Sequence, residues 1–521
     1  GGTTTITNSG PFTKHATGAV TSDGGFTQNG AGTNSIGTDI STTNTGISFA
    51  AAVTLTESVQ FSTDTGAGDI SFATTVDGAT GAQALTVGTG TGTAIFQAGV
   101  GQLVELAGFT VQSGTADLRA NPLTVFGSVV IQGTLDADGL ASGTPNLITV
   151  TGDWTNTGTL TARDSEVLFN GGGTSTIEGN GATGSFNDLT VDSTTTLLAA
   201  NSGLNATGTV TVTNPTDVID MADQSFDFAT FANAGTLRLD GTQATQDLGV
   251  TVPDPPTTGV VVYYAGAADG TILIPIPIYD LEVDAGGRTI FLGVDLRVYG
   301  SVTLTNGTLN GNGQVLTLAG DFNANLAGTF AHGNGTVSFF GQPINPVSFV
   351  LGSTTFYNFD ADVNVESDLV SPGNVGKVIR FQAGATTSIA TGGRFRIIGT
   401  NADPPPANAD TDIIWPADLS AGYGSTSYIS LVSTANQVTV PGDRWTLTVP
   451  AGADLDTTYA DVWFSFATPA VNVPDFTVTH DCLDWFDIIY FSRSWTRDTN
   501  GNGKIDAIVI AVPVNLDDNF T

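Results

Sequence analysis

The sequence predicts an all-β chain whose main part is an elongated parallel β-solenoid (β-helix). Three near-copies of one seven-residue strand carry this prediction: Ile47–Val53, Ile70–Val76 and Ala94–Val100, whose starts lie 23 and then 24 residues apart. A period of about 20–25 residues is typical of stacked units, none of which can bury its apolar side alone. In a solenoid, like positions of successive coils lie above each other. A row of small β-sandwiches is the alternative interpretation.

The composition favours an all-β class in a chain too long for one compact core. Of its 521 residues 66 are Gly, 40% are hydrophobic and only 12% are charged. Short β-favouring runs between Gly, Asn and Asp are typical of strands joined by turns. Chains of this length divide into domains or extend as repeats. The hydrophobic fraction excludes wholesale disorder, which requires low hydrophobicity together with high net charge.

The charge of the chain is strongly acidic. Lys and Arg number 14 against 49 acidic residues, which gives a net charge of −35. Such a surface repels nucleic acid and anionic membranes, and no apolar run is long enough to span a bilayer. We therefore expect neither nucleic-acid binding nor direct membrane insertion.

A longer repeat begins near residue 127. Gly127–Gly139 resembles Gly300–Gly313, and each leads to a second element, Gly152–Trp154 (GDW) or Gly320–Phe322 (GDF). A third, related copy has its header at Phe231–Leu237, and a further strand follows each copy in the same order, at Phe186–Val191, Ile278–Val283 and Phe356–Ala361. We interpret each copy as three to four coils of one solenoid with insertions projecting as loops. Three separate β-sandwiches are the alternative.

These segments resemble the repeats of large bacterial surface proteins. The resemblance rests on GDWTNTGTL at Gly152–Leu160 and FNDLTVDS at Phe186–Ser193. Gly68–Gly101 likewise resembles repeats of filamentous-haemagglutinin-like and autotransporter-like exoproteins, and the similarity extends over Gly46–Asp368. It implies export, a right-handed β-helix or related solenoid, and an adhesive or structural role. The resemblance assigns no catalytic residues to this chain.

Composition changes near residue 400. The consecutive prolines of Asp403–Pro406 (DPPP) predict a stiff linker. Five of the six Trp residues follow this segment. We predict a repetitive solenoid over residues 1–400, with a candidate subdivision into 1–126 and 127–400. Residues 401–521 are predicted to form a β-sandwich-like C-terminal domain.

The C-terminal domain contains a candidate calcium loop, DTNGNGKID. Gly503 lies where such a loop turns sharply, and oxygen ligands at alternate positions suit Ca²⁺. The loop resembles EF-hand-type and dockerin loops, although Val509 replaces the usual acid at position 12. An Asn-Gly hairpin turn is the alternative. The candidate ligands are Asp498, Asn500, Asn502, Lys504 (through its backbone carbonyl) and Asp506.

The sequence offers weak support for an enzyme. His480 and the single cysteine, Cys482, lack the spacing of a zinc site, and one cysteine forms no internal disulfide. Polysaccharide lyases and glycosidases on β-helices use paired carboxylates. A cluster around Met221 has that composition, but we expect it by chance among 43 Asp, with no Arg or Lys close by in the sequence. Its members are Asp217, Asp220 and Asp223.

The sequence as a whole favours an exported structural or adhesive protein that forms a stiff rod at a bacterial cell surface. The acidic, Lys-poor, nearly Cys-free composition is common in exported proteins, and the start at Gly1 without Met fits a processed chain and equally a trimmed one. Expected partners are other copies, joined end to end, or a surface carbohydrate or protein ligand. The alternatives are a self-assembling extracellular filament or sheath subunit and a carbohydrate-active enzyme on the same scaffold.

Overall fold

The computed structural model describes residues 1–137, 145–179, 185–264, 266–340 and 347–362, and beyond these a set of strands. In this part of the chain there is no helix, and the strands form a parallel β-solenoid of about 16 turns. The predicted solenoid is therefore confirmed. Tandem sandwiches do not fit residues 1–362, because their strands pair in parallel with strands one coil away. The linker and most of the predicted C-terminal domain lie outside the described residues.

The chain forms two compact units, and the first comprises Gly1–Tyr299. Its strands are β1 Thr4–Ile6, β2 Phe12–Lys14, β3 Val20–Ser22, β4 Phe26–Gln28, β5 Asn34–Ile36, β6 Ile40–Thr42, β7 Ile47–Phe49, β8 Val53–Leu55, β9 Val59–Ser62, β10 Ile70–Phe72, β11 Val76–Gly78, β12 Ala84–Phe96, β13 Leu106–Asp117, β14 Leu123–Ile131, β15 Thr134–Asp136, β16 Leu147–Val150, β17 Trp154–Asn156, β18 Thr159–Thr161, β19 Glu166–Phe169, β20 Thr174–Glu178, β21 Asp188–Val191, β22 Thr196–Ala199, β23 Leu204–Val212, β24 Val218–Asp220, β25 Phe226–Asn233, β26 Thr236–Leu239, β27 Gln246–Asp247, β28 Val250–Thr251, β29 Val260–Tyr264, β30 Gly270–Ile272, β31 Asp280–Leu292 and β32 Leu296–Val298.

The second unit comprises Gly300–Thr521. Its described strands are β33 Val302–Asn310, β34 Val315–Leu318, β35 Phe322–Asn323, β36 Thr329–Ala331, β37 Thr336–Phe340, β38 Val347–Leu351, β39 Thr354–Asp362, β40 Val375–Phe381, β41 Thr386–Ile398, β42 Thr426–Ser433, β43 Thr446–Thr448, β44 Asp454–Asp456, β45 Arg493–Arg497 and β46 Ala507–Ala511. Its strands from β33 to β44 pair in parallel, for example β37 with β39, while β45 and β46 pair antiparallel.

The three seven-residue copies occupy one column of the solenoid, as predicted. Phe72 of β10 pairs with Phe49 of β7 on one side and with Phe96 of β12 on the other. Within each strand the residues alternate, so that Ile47 and Phe49 are buried while Ser48 faces outward. This period of two is the ordinary pleat of a β-strand. It places the same face of every copy in the core.

The phenylalanines of this column form a continuous ladder in the core. The rings of Phe26, Phe49, Phe72 and Phe96 follow one another with centroid separations of 5.5, 5.6 and 5.1 Å. The rings of the Phe49–Phe72 and Phe72–Phe96 pairs are stacked and nearly parallel, with interplanar angles of 3° and 13°. Phe61 packs edge-on against both Phe49 and Phe72. Such pairs add to the stabilisation from burial alone.

The longer repeat corresponds to a turn of the solenoid at which two glycines stack. Gly152 N–H donates to the carbonyl of Gly127 at 2.9 Å, and a Cβ on Gly152 would lie 2.6 Å from the Gly127 carbonyl carbon. The adjacent N–H of Asp153 donates to Ser128 Oγ at 3.1 Å. Asp153 Oδ1 in turn accepts the backbone N–H of Thr176 at 2.9 Å. The Gly-Ser and Gly-Asp pairs thus join three successive coils.

The second unit repeats this arrangement. Gly320 N–H donates to the carbonyl of Gly300 at 2.7 Å. Asp321 N–H donates to Ser301 Oγ at 3.0 Å, and Asp321 Oδ1 accepts the N–H of Phe349 at 2.9 Å. The similarity seen between the two sequence segments therefore reflects one structural role, a Ser–Asp cap between coils.

The aromatic residues of the longer repeat also make equivalent contacts. Trp154, after the first Gly-Asp, packs on Phe186 at 5.4 Å, and Phe322, after the second, packs on Phe356 at 5.4 Å. The downstream strands that recur in the same order in the sequence thus supply the core partner of each leading aromatic residue.

Further aspartates cap backbone N–H groups of the following coil. Each carboxylate accepts the N–H of a residue 20 to 26 positions ahead, at 2.6 to 2.9 Å. The pairs are Asp39–Gln60, Asp69–Thr93, Asp77–Leu103, Asp188–Thr209 and Asp269–Thr289. Much of the acidic composition therefore serves the fold.

We predict that Phe72→Ala lowers the free energy of unfolding of the surrounding coils by about 3–5 kcal/mol, because it leaves a cavity in the ladder. Amide hydrogen exchange at Ile47–Phe49 and Ala94–Phe96 measures this loss. The control is Phe126→Ala, since Phe126 is 63% exposed and its loss is expected to cost less than about 0.5 kcal/mol. If the amides of these strands were equally protected from exchange in both variants, the stabilising role of the phenylalanine ladder would be contradicted.

A second prediction concerns the Ser–Asp cap. Asp153→Ala removes the acceptor for the Thr176 N–H and is expected to cost about 0.5–1.5 kcal/mol, whereas Asp153→Asn keeps an acceptor oxygen and is expected to cost less. Asp227→Ala, at an exposed aspartate, is the charge-matched control. Denaturant unfolding of the variants gives these differences, and an unchanged stability in Asp153→Ala would show that the cap contributes nothing.

Candidate functional site

The first acid of the predicted Asp cluster is fully buried and structural. Asp217 Oδ1 accepts the backbone N–H of Thr195 at 3.2 Å. Its Oδ2 accepts both the backbone N–H of Asn214, at 2.9 Å, and the side-chain Nδ2 of Asn214, at 3.1 Å. Both carboxylate oxygens are therefore engaged in holding a turn and joining it to the previous coil.

Asp220 lies in a different group, on the outer face of the solenoid. Strand β24 pairs with β26 so that Asp220 lies directly beside Arg238 of the next coil. Arg238 Nη1 donates to Asp220 Oδ2 at 3.0 Å, and the Tyr264 hydroxyl donates to Asp220 Oδ1 at 3.1 Å. The Arg238 guanidinium also lies over the Tyr264 ring, 4.5 Å from its centroid. We call these three residues the Asp220–Arg238–Tyr264 cluster.

This geometry corrects the expectation that no basic residue lies near the acids. Arg238 is 18 positions from Asp220 in the sequence, but one coil of the solenoid brings the two side chains together. The third acid, Asp223, is exposed and accepts a hydrogen bond from the side chain of Gln224. The three acids therefore lie in three different environments.

The cluster holds its tyrosine in the neutral form. Burial raises the pKa of Tyr264, the charge and hydrogen bond of Asp220 raise that pKa further, and Arg238 partly opposes the shift. Burial also raises the pKa of the neighbouring Tyr263, whose hydroxyl donates to Gln246 Oε1 at 2.6 Å. A tyrosine held neutral is a poor nucleophile and a poor base at ordinary pH. The cluster joins side chains of adjacent coils by an ion pair and a hydrogen bond.

A small apolar cavity lies beside the proline-rich segment that follows β28. Its volume is about 20 Å³, and Phe231, Val252, Pro256, Ile278 and Tyr279 are among its lining residues. A cavity of this size holds about one water molecule. It is too small for a sugar ring, so it does not serve as a carbohydrate subsite.

The predicted calcium loop and the Cys482 region lie outside the described residues. The strands on either side of the loop, β45 and β46, pair antiparallel with Arg497 opposite Ala507. The hairpin connection and the calcium site both fit this pairing. The ligand prediction stands untested for Asp498, Asn500, Asn502, Lys504 and Asp506.

Among the described residues there is no group of three or more His, Cys, Asp or Glu side chains arranged to hold a metal ion. Within the same residues, no helix has the length and apolar character needed to cross a membrane.

Comparison with known proteins finds no protein-family model, no curated protein and no solved structure that matches this chain.

The shifted tyrosines predict a loss of stability at alkaline pH. An unfolded tyrosine ionises near pH 10, whereas folding keeps Tyr263 and Tyr264 neutral because their pKa values are raised. Their contribution is therefore complete below about pH 10 and is lost as the pH rises above it. Spectroscopic titration of the nine tyrosines should show at least two that ionise only on unfolding. Tyr264→Phe should lower by one the number of tyrosines that ionise only on unfolding. A native protein in which all nine tyrosines ionise together near pH 10 would contradict the prediction.

Proposed function

We propose that the chain is an exported structural or adhesive protein of a bacterial cell surface, in which stacked coils form a stiff, extended rod. The observation that carries the proposal is the in-register parallel pairing of successive coils, for example Phe49 with Phe72 and Phe72 with Phe96. Each coil is bonded to both neighbours through its main chain, so that bending the stack would break several hydrogen bonds together.

The use of the polar side chains supports a scaffold. Asp217 and Asp220, two of the three acids that a glycosidase on this scaffold would use, instead bond to backbone N–H groups or to Arg238. Engaged side chains stabilise the fold but leave little for acid–base chemistry. This favours the structural role over the carbohydrate-active enzyme.

The outward columns of hydroxyl residues support an adhesive role. Thr27, Ser48 and Ser71 lie in register on successive coils of one face. On the same face, two positions along the strand from this column, Thr93, Thr115, Thr134 and Thr159 do the same. Neighbouring parallel strands are about 4.8 Å apart, so these columns present a regular array of hydrogen-bonding groups. A surface carbohydrate or a protein ligand is the partner that we propose for them.

Export is supported by the composition and by the resemblance to surface-protein repeats. The chain has a single Cys and a net charge of −35. A strongly charged surface keeps a long protein soluble and opposes its lateral aggregation. Both properties suit a protein that extends away from a cell.

Electron microscopy and small-angle scattering of the purified chain test the proposal. If the coils of both units stack on one axis, about 16 turns at about 4.8 Å per turn give a particle at least about 75 Å long. Binding of the same protein to an array of glycans and surface proteins is expected, without cleavage. A compact particle, or release of sugars from a polysaccharide, would contradict the proposal. Regular polymers would instead favour the filament-subunit function.

A further inference from the structure

One turn of the solenoid in the first unit buries polar side chains from two adjacent coils. Leu147 of β16 pairs with Glu166 of β19, and the Glu166 N–H donates to the carbonyl of Asn146 at 2.8 Å. Asn146 and Ser165 immediately precede this pair and therefore lie in neighbouring coils, about 4.8 Å apart along the axis. Both face the interior, with exposed fractions of 2% and 0%.

Three buried oxygen atoms at this turn have no hydrogen-bond partner among the described residues: Asn146 Oδ1, Ser165 Oγ and Asp164 Oδ1. The orientation of the Asn146 amide is fixed, because its Nδ2 donates to the carbonyl of Ala137, which directs Oδ1 away from that bond. A buried polar atom without a partner costs free energy and calls for an explanation such as a bound ion or water. Here three such atoms belong to residues that are adjacent in sequence or in register.

The nearest basic side chain is directed elsewhere. Arg163 precedes Asp164, but its Nε and Nη2 donate to Asp136 Oδ1 and Oδ2 of the preceding coil, at 2.7 and 2.8 Å. Asp164 forms no ion pair with the residues that the structure describes. The turn therefore combines a carboxylate that is not neutralised with two neutral oxygen ligands.

We propose that this turn binds a calcium ion through Asn146 Oδ1, Asp164 Oδ1 and Ser165 Oγ. All three atoms are hard oxygen ligands, and Ca²⁺ accepts six to eight oxygens in a flexible geometry, whereas Mg²⁺ demands a near-ideal octahedron. Because this chain supplies three side-chain ligands, water completes the shell and the affinity is weak, with a Kd on the order of 1 mM as in extracellular modules. The ion joins two coils of the first unit and is separate from the predicted loop at Asp498–Asp506.

Hydrogen exchange of the full-length protein in about 10 mM Ca²⁺ and in EDTA tests the site. A ligand bound only to the closed turn slows local opening by a factor of 1 + [L]/Kd, so we expect exchange about tenfold slower at Leu147–Val150 and Glu166–Phe169. Asp164→Asn should abolish this difference, and Ser165→Ala should reduce it. Asp227→Asn, which makes the same charge change at an exposed position, should leave it intact.

A second readout separates loss of binding from loss of fold. Wild type and Asp164→Asn should have similar thermal unfolding in EDTA, and the number of Ca²⁺ ions bound at saturation should fall by one in the variant. Wild-type exchange that is the same in Ca²⁺ and in EDTA would overturn the proposal and assign the three oxygens to an ordered water. Calcium-dependent protection that persists in Asp164→Asn would overturn it as well.

Discussion

Hydrogen bonds between the main chains of successive parallel strands join each coil to the next, and the rest of the fold depends on them. They fix the register, so a residue type that recurs one coil later stacks on itself, as Phe49, Phe72 and Phe96 do. They also leave N–H groups unpaired wherever the chain turns. Side-chain oxygens can pair such groups, and Ser128 and Ser301 do so for the N–H groups of Asp153 and Asp321.

The same constraint gives a physical account of the charge. With 49 acidic residues against 14 basic ones, repulsion between carboxylates would be expected to oppose stacking. Many aspartates offset it by accepting backbone N–H groups of the following coil, which are charge-assisted hydrogen bonds. Three of the few arginines lie beside aspartates, at Asp117–Arg119, Asp136–Arg163 and Asp220–Arg238. The acidic composition is therefore compatible with a scaffold and does not require an acidic active site.

The sequence was sufficient to predict the solenoid, because the period and the aromatic positions recur together. It also revealed the Gly-Ser and Gly-Asp repeat, but not its role, since a cap between coils is visible only once the register is known. Arg238 was missed beside Asp220 because proximity in a solenoid follows the coil length and not the sequence separation. Asn146 and Ser165 were missed for a related reason: neither belongs to a motif, and only their burial in adjacent coils sets them apart.

Cross-linking between coils tests the register most directly. Thr27, Ser48 and Ser71 form one outward column, and paired residues of neighbouring strands lie within the Cα separation of about 4.4–6.8 Å that a disulfide requires. In a Cys482→Ser background, the double replacements Thr27→Cys with Ser48→Cys and Ser48→Cys with Ser71→Cys should each form a disulfide on mild oxidation, as mapped by mass spectrometry. Thr27→Cys with Ser71→Cys, which skips one coil, should not. A bond in that third variant, or none in the first two, would contradict the in-register stacking.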